Sequence, residues 1–141
     1  MKTMFWLAAA LLAATGPALA ETRACEANYQ QSGNLVMGRQ FSTWEILADV
    51  KPGEAFRRIQ ADGLKSGLRV GASDRESGVL SFEQTVTHRG MPANLPWNIV
   101  ITAAGKGSKI SVSKSTPGGY ASSKESQMQS MCMVIGSARN K

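Results

Sequence analysis

The sequence is poor in the side chains on which most metal centres and nucleophilic active sites depend. Its 141 residues include two cysteines and one histidine. A lone histidine has no second histidine with which to build a tetrahedral zinc site, and the Gly-x-Ser-x-Gly elbow of serine hydrolases is missing. These shortages argue against zinc and serine-hydrolase chemistry. We therefore expect no catalytic residue, no metal and no cofactor.

Aromatic residues and runs of like charge are also scarce. Aromatic side chains make up 6% of the chain, and the net charge of +6 comes from scattered cations. Proteins that bind nucleic acid usually show a basic stripe or a set of stacking aromatics, so nucleic acid is not an expected partner. The basic residues Lys106, Lys109 and Lys114 predict only a weak, salt-sensitive attachment to anionic envelope surfaces.

No apolar run in the sequence is long enough to cross a bilayer. The uncharged stretch after Lys2 runs from Met4 to Ala14, well short of about 20 residues, and is followed by the small-residue site Ala18-Leu19-Ala20. This order is typical of a secretory signal peptide. We expect residues 1–20 to be removed, giving a periplasmic or secreted protein without a transmembrane segment. Residues 21–141 should form a single small α+β domain with an N-terminal arm.

Export bears on the fate of Cys25, because cysteines outside the cytoplasm usually pair. Cys132 is the only other cysteine, so we predict a Cys25–Cys132 disulfide. Two alternatives remain open at this point. The first is lipidation of Cys25, which the bulky cation Arg23 close before it disfavours. The second is a buried free thiol, because unpaired cysteines are also commonly buried.

The pattern of apolar residues indicates the elements of the fold. Trp44, Ile46, Ala48 and Val50 alternate with other residues, which predicts a strand, although Ser42-Thr43-Trp44-Glu45 also fits a helix capping box. The polar residues up to Asn34 read as a loop. Pro52, Glu54 and an apolar face predict a helix over 52–65. Further strands are expected over 68–70, 79–86, 97–103 and 110–112, and a last helix from near Ser122. The fold class is therefore α+β, an antiparallel sheet of about five strands with two helices packed on one face.

The stretch GEAFRRIQADGLKSGLRVGASDRESGVLSFEQTV, residues 53–86, resembles a pattern in small bacterial envelope proteins with helix-grip domains, including those of the BamC lipoprotein. In that pattern a helix ends at a glycine and is followed by a strand, a Ser-Asp-x-x-Ser-Gly turn and a second strand. The resemblance implies this fold unit and supplies no catalytic residue.

The last predicted helix contains a cluster of sulfur side chains. Soft ligands such as methionine and cysteine select Cu(I) in exported proteins. The alternative is a core stripe, because Met128, Met131, Cys132 and Ile135 have the spacing of one helix face, with Met133 pointing elsewhere. We prefer the core stripe.

A long loop over residues 88–97 is the remaining candidate site. Loops of this length in compact domains are often functional, and the candidate binding residues on it are His88, Arg89, Met91, Leu95 and Trp97. Burial of Leu95 and Trp97 under the helices is the competing interpretation. We expect a non-enzymatic envelope protein that binds another envelope component or macromolecule through its sheet face or this loop. An enzyme or enzyme inhibitor with a shallow site around His88 and Arg89 is the alternative.

Overall fold

A computed structural model describes residues 23–139 and shows six strands and three helices. The signal peptide predicted for residues 1–20 lies outside the described residues. The elements, in chain order, are α1 (Ala24–Ala27), β1 (Gln30–Asn34), β2 (Gly38–Leu47), α2 (Pro52–Lys65), β3 (Arg69–Asp74), β4 (Val79–His88), β5 (Met91–Ala104), β6 (Gly107–Thr116) and α3 (Lys124–Gly136).

The strands form one antiparallel sheet in the order β1-β2-β6-β5-β4-β3. The buried side chains of the sheet lie in a single core cluster with those of the helices, so the three helices pack on one face. We call this the helix face and the opposite side the open face. The predicted α+β class and antiparallel sheet are confirmed, with one more strand and one more helix than expected.

Helix α2 spans the residues that the sequence predicts. Pro52 occupies the start of the helix, where a missing N–H costs nothing. Ala55, Phe56, Ile59 and Gly63 are buried against the sheet, which gives the apolar face its partner. A helix, a strand, a turn and a second strand follow one another over α2, β3 and β4. The resemblance of residues 53–86 to envelope domains stays a prediction.

The prediction of a polar loop up to Asn34 is wrong for residues 30–34. Residues 30–34 form β1, the edge strand next to β2. All five of its residues are exposed and none is apolar, so the strand has no apolar alternation by which it could be predicted. Its hydrogen bonds to β2 hold it in the sheet instead.

Strand β2 exists, but its buried face is the opposite of the one that the apolar residues suggest. Trp44 and Ile46 are exposed, whereas Thr43 and Glu45 are buried. Phe41 and Leu47 are buried on the same face as Thr43 and Glu45, and the two polar side chains have partners in other elements. Thr43 Oγ1 donates to the carbonyl oxygen of Cys25, and the Glu45 carboxylate pairs with Arg139.

The prediction of a long loop over residues 88–97 is also wrong, because β4 ends at His88 and β5 begins at Met91. Arg89 and Gly90 both have positive φ, 51° and 76°, and form a two-residue hairpin turn between β4 and β5. Pro92 and Pro96 lie in the first part of β5, which pairs with β4 but not with β6. A strand edge tolerates the missing N–H of proline, so the prolines do not interrupt the strand.

The disulfide between Cys25 and Cys132 is formed, with a Cα–Cα distance of 5.7 Å. It joins α1 to α3 beneath the helix layer, and both cysteines are buried in the core. Met131 and Ile135 are buried beside it and Met128 is partly buried, which confirms the predicted stripe on α3. Among residues 23–139, none of the helices has the length and apolar character needed to span a bilayer.

Candidate functional site

The five residues of the predicted binding loop are divided between several environments. Leu95 and Trp97 are buried on the helix face, as the competing interpretation held. His88 packs against Tyr120, with 5.9 Å between ring centroids, and the Arg89 guanidinium lies against Gly119. Met91 is exposed at the start of β5. The structure therefore does not bring these residues together into one site.

The sulfur cluster on α3 has no free thiolate. Cys132 is bonded to Cys25, Met131 is fully buried and Met133 is exposed. Within the described chain, no three histidine, cysteine, aspartate or glutamate side chains lie close enough to hold a metal ion. The Cys132 sulfur is therefore committed to the disulfide rather than to a soft metal.

A buried cation lies on the helix face. Lys114 is 6% exposed, so the prediction that it takes part in surface attachment with Lys106 and Lys109 is wrong for this residue. Its Nζ donates to Gln84 Oε1 at 3.1 Å and lies 4.3 Å from the centroid of the Trp97 ring. Trp97 Nε1 donates to the same oxygen at 3.1 Å. Burial lowers the pKa of Lys114 to about 8, because the charged form loses hydration.

A second polar cluster lies beside it, under the start of α3. Arg39 donates through Nη2 to the carbonyl oxygens of Tyr120 and Ser122 and to Ser122 Oγ, each at 3.1 Å. Gln127 donates to the same hydroxyl. Three buried atoms here have no hydrogen-bond partner among residues 23–139: Arg39 Nε, Thr116 Oγ1 and Gln127 Oε1. The arrangement fixes the segment that leads into α3.

The open face carries the exposed apolar side chains of the sheet. Trp44, Val79 and Val100 lie in one row across the strands, because the register pairs Trp44 with Ser111, Ser111 with Val100 and Val100 with Val79. Trp44 is 38% exposed, and Lys109 Nζ is 4.6 Å from the centroid of its ring. A tryptophan on an uncovered sheet face is a typical contact residue.

A depression of about 330 Å³ lies next to this row on the open face. Its floor is a second row, in which the register aligns Gln30, Ser42, Ser113 and Asn98. Gln40 and Ser115 form part of a third row. We call this depression the polar trough. Lys114 also borders it, but the Lys114 side chain points to the helix face and only its main chain contributes.

Sequence reasoning missed the polar trough for an identifiable reason. Its residues are serine, glutamine and asparagine, which read individually as the solvent side of a strand. Only the pairing of β2 with β6, two strands that are distant in sequence, places the residues of β1 and β2 beside those of β5 and β6. The sheet face was predicted as a binding surface, which stays a prediction, and the trough lies on that face.

Comparisons with known proteins show the fold alone. The structure is similar to that of Ara h 8.0201, with a TM-score of 0.53 and 15% identity over 72% of this chain and 94% of that one. It is also similar to a conserved protein of unknown function, EF2215 from Enterococcus faecalis, with a TM-score of 0.49 and 10% identity over 80% and 77%. No protein-family model matches the sequence, and no curated protein matches it.

Proposed function

We propose that this protein is an exported, non-enzymatic component of the cell envelope that binds another envelope component through the open face of its sheet. The observation that carries the proposal is the contrast between the two faces. The helix face is closed by α1, α2 and α3, whereas the open face presents Trp44 and Val100 in one row beside the polar trough.

Two features support location outside the cytoplasm. The buried disulfide needs an oxidising compartment to form and persist, and residues 1–20 have the sequence of a signal peptide. Fractionation of cells that produce the full chain tests this part. Recovery of a reduced, uncleaved protein in the cytoplasm would contradict it.

Site-specific photocrosslinking tests the binding surface. A benzophenone amino acid at position 111 lies between Trp44 and Val100 on the open face. The matched control places the same group at position 133, which is exposed on α3. We expect adducts with an envelope component from position 111 and few from position 133. Equal adducts from both positions, or none from position 111, would contradict the proposal.

A further inference from the structure

The polar trough has a lining that selects ligands by hydrogen bonding rather than by charge. Its rows present the amides of Gln30, Gln40 and Asn98 and the hydroxyls of Ser42 and Ser113. Amides and hydroxyls both donate and accept hydrogen bonds. The lining contains no aspartate, glutamate or arginine, and the one lysine, Lys114, directs its ammonium group to Gln84 on the other face.

The geometry of the trough suits an extended ligand. The row from Gln30 to Asn98 crosses β1, β2, β6 and β5. Because neighbouring strands are about 4.8 Å apart, these side chains span roughly 14 Å at regular intervals. The volume of about 330 Å³ falls at the lower end of the ~300–1,000 Å³ typical of ligand sites.

Trp44 borders the trough on the same face. It follows Ser42 by two residues on β2, so the two side chains point the same way. The Lys109 ammonium group lies over the indole ring, and the Trp44 side chain is still partly exposed. An aromatic surface beside a set of amides and hydroxyls offers apolar C–H contacts and hydrogen bonds together.

We infer that the polar trough and Trp44 bind a neutral glycan, lying across the strands. A sugar chain combines hydroxyl groups in regular succession with apolar C–H faces, and carries no charge that would need a counter-ion in the trough. A protein partner would be expected to use the apolar row of Trp44, Val79 and Val100 without the trough. The inference rests on the proposed function and names the chemical class of the component bound.

Titration of isotope-labelled protein with a panel of neutral oligosaccharides, including oligomers of N-acetylglucosamine and of glucose, tests the inference by NMR. We expect at least one oligosaccharide to shift the Trp44 indole N–H and the Asn98 side-chain amide signals, with little change at Trp97. Binding should persist at 0.5 M NaCl, because no ion pair is involved.

Matched variants separate the trough from the rest of the face. Asn98→Ala should weaken binding about fivefold, whereas Asn94→Ala, on the same strand and face but outside the trough, should not. Trp44→Ala should weaken binding by a similar factor, and Trp44→Phe should restore most of it. Both positions are exposed, so the variants should fold, which the NMR spectra check directly.

Three outcomes would overturn the glycan inference. These are no binding of any neutral oligosaccharide at millimolar concentration, binding that high salt abolishes, or binding that Asn98→Ala and Trp44→Ala leave unchanged. Protein adducts from the photocrosslinker at position 111, combined with no glycan binding, would leave the proposed function intact and refute the glycan as its ligand.

Discussion

The ammonium group of Lys114 and the indole of Trp97 share one hydrogen-bond acceptor, the side-chain oxygen of Gln84. The cation is held by an aromatic ring and a neutral amide. Among residues 23–139 it forms no salt bridge with a carboxylate. A buried charge without a carboxylate partner is costly, which makes the stability of the fold sensitive to the protonation of Lys114.

Stability should rise with pH between about 8 and 10 because of Lys114. The folded-state pKa is lowered from 10.5 to about 8, so in this window the unfolded chain binds a proton that the folded protein has lost. Unfolding becomes less favourable as the proton concentration falls. Lys114→Met should remove this rise, and Lys109→Met, which removes a charge from the opposite face, should retain it.

Urea denaturation at several pH values measures this effect, read as the difference between the parent and Lys114→Met. The difference is needed because the raised pKa of Tyr29, which is caused mainly by burial, makes stability fall as pH rises above 10. Parallel pH profiles for the parent and Lys114→Met would contradict the prediction.

Two buried threonines should respond differently to the same substitution. Thr43 Oγ1 donates to Cys25, whereas Thr116 Oγ1 has no partner among the described residues. Thr43→Val leaves the Cys25 carbonyl without its donor and should cost about 1–2 kcal/mol of unfolding free energy. Thr116→Val removes an unsatisfied hydroxyl and should be close to neutral. Chemical denaturation of both variants checks the contrast, and equal losses would refute it.

Gly63 lies where α2 packs closely against the Phe82 ring of β4. A Cβ at this position would overlap the Phe82 ring. Gly63→Ala should therefore destabilise the protein by roughly 1–3 kcal/mol through overpacking. Gly136→Ala is the matched control in α3, because a Cβ there meets nothing within 4 Å. The control should be neutral or slightly stabilising in thermal unfolding; a Gly63→Ala variant as stable as the parent would show that α2 can shift.

The disulfide should be a major contributor to stability. It links residues separated by 107 positions, and closing a loop of about this length restricts the unfolded chain by roughly 4–5 kcal/mol in the entropy model. Cys25→Ser should lower the unfolding midpoint by a large margin. Alkylation of the denatured, unreduced parent should label neither cysteine. A reductant should also lower the unfolding midpoint of the parent. The Cys25→Ala, Cys132→Ala double variant has no disulfide to reduce, so the reductant should leave its stability unchanged.

Local signals predicted the parts of the fold whose partners are close in sequence. The α2 boundaries follow from Pro52 and an apolar face. The disulfide joins residues 107 positions apart and follows from the count of two cysteines rather than from a local pattern. The buried face of β2 was obscured because its apolar residues, Phe41 and Leu47, are separated by the polar residues Thr43 and Glu45. The partners that allow these two to be buried, Cys25 and Arg139, lie 18 and 94 positions away. The Arg89-Gly90 turn was obscured by Pro92 and Pro96, which β5 accommodates only because β6 is not yet paired there.

The strand order also has a consequence for how the domain assembles. Strands β3 to β6 are each joined to the next by a short turn and pair with it, so this meander can form from local contacts. Strand β2 instead pairs with β6, and its register brings Arg39 to Thr116 across most of the chain. Closing such a long loop is entropically slow. The N-terminal strands should therefore dock last, and the sulfur atoms of Cys25 and Cys132 meet only when that docking is complete.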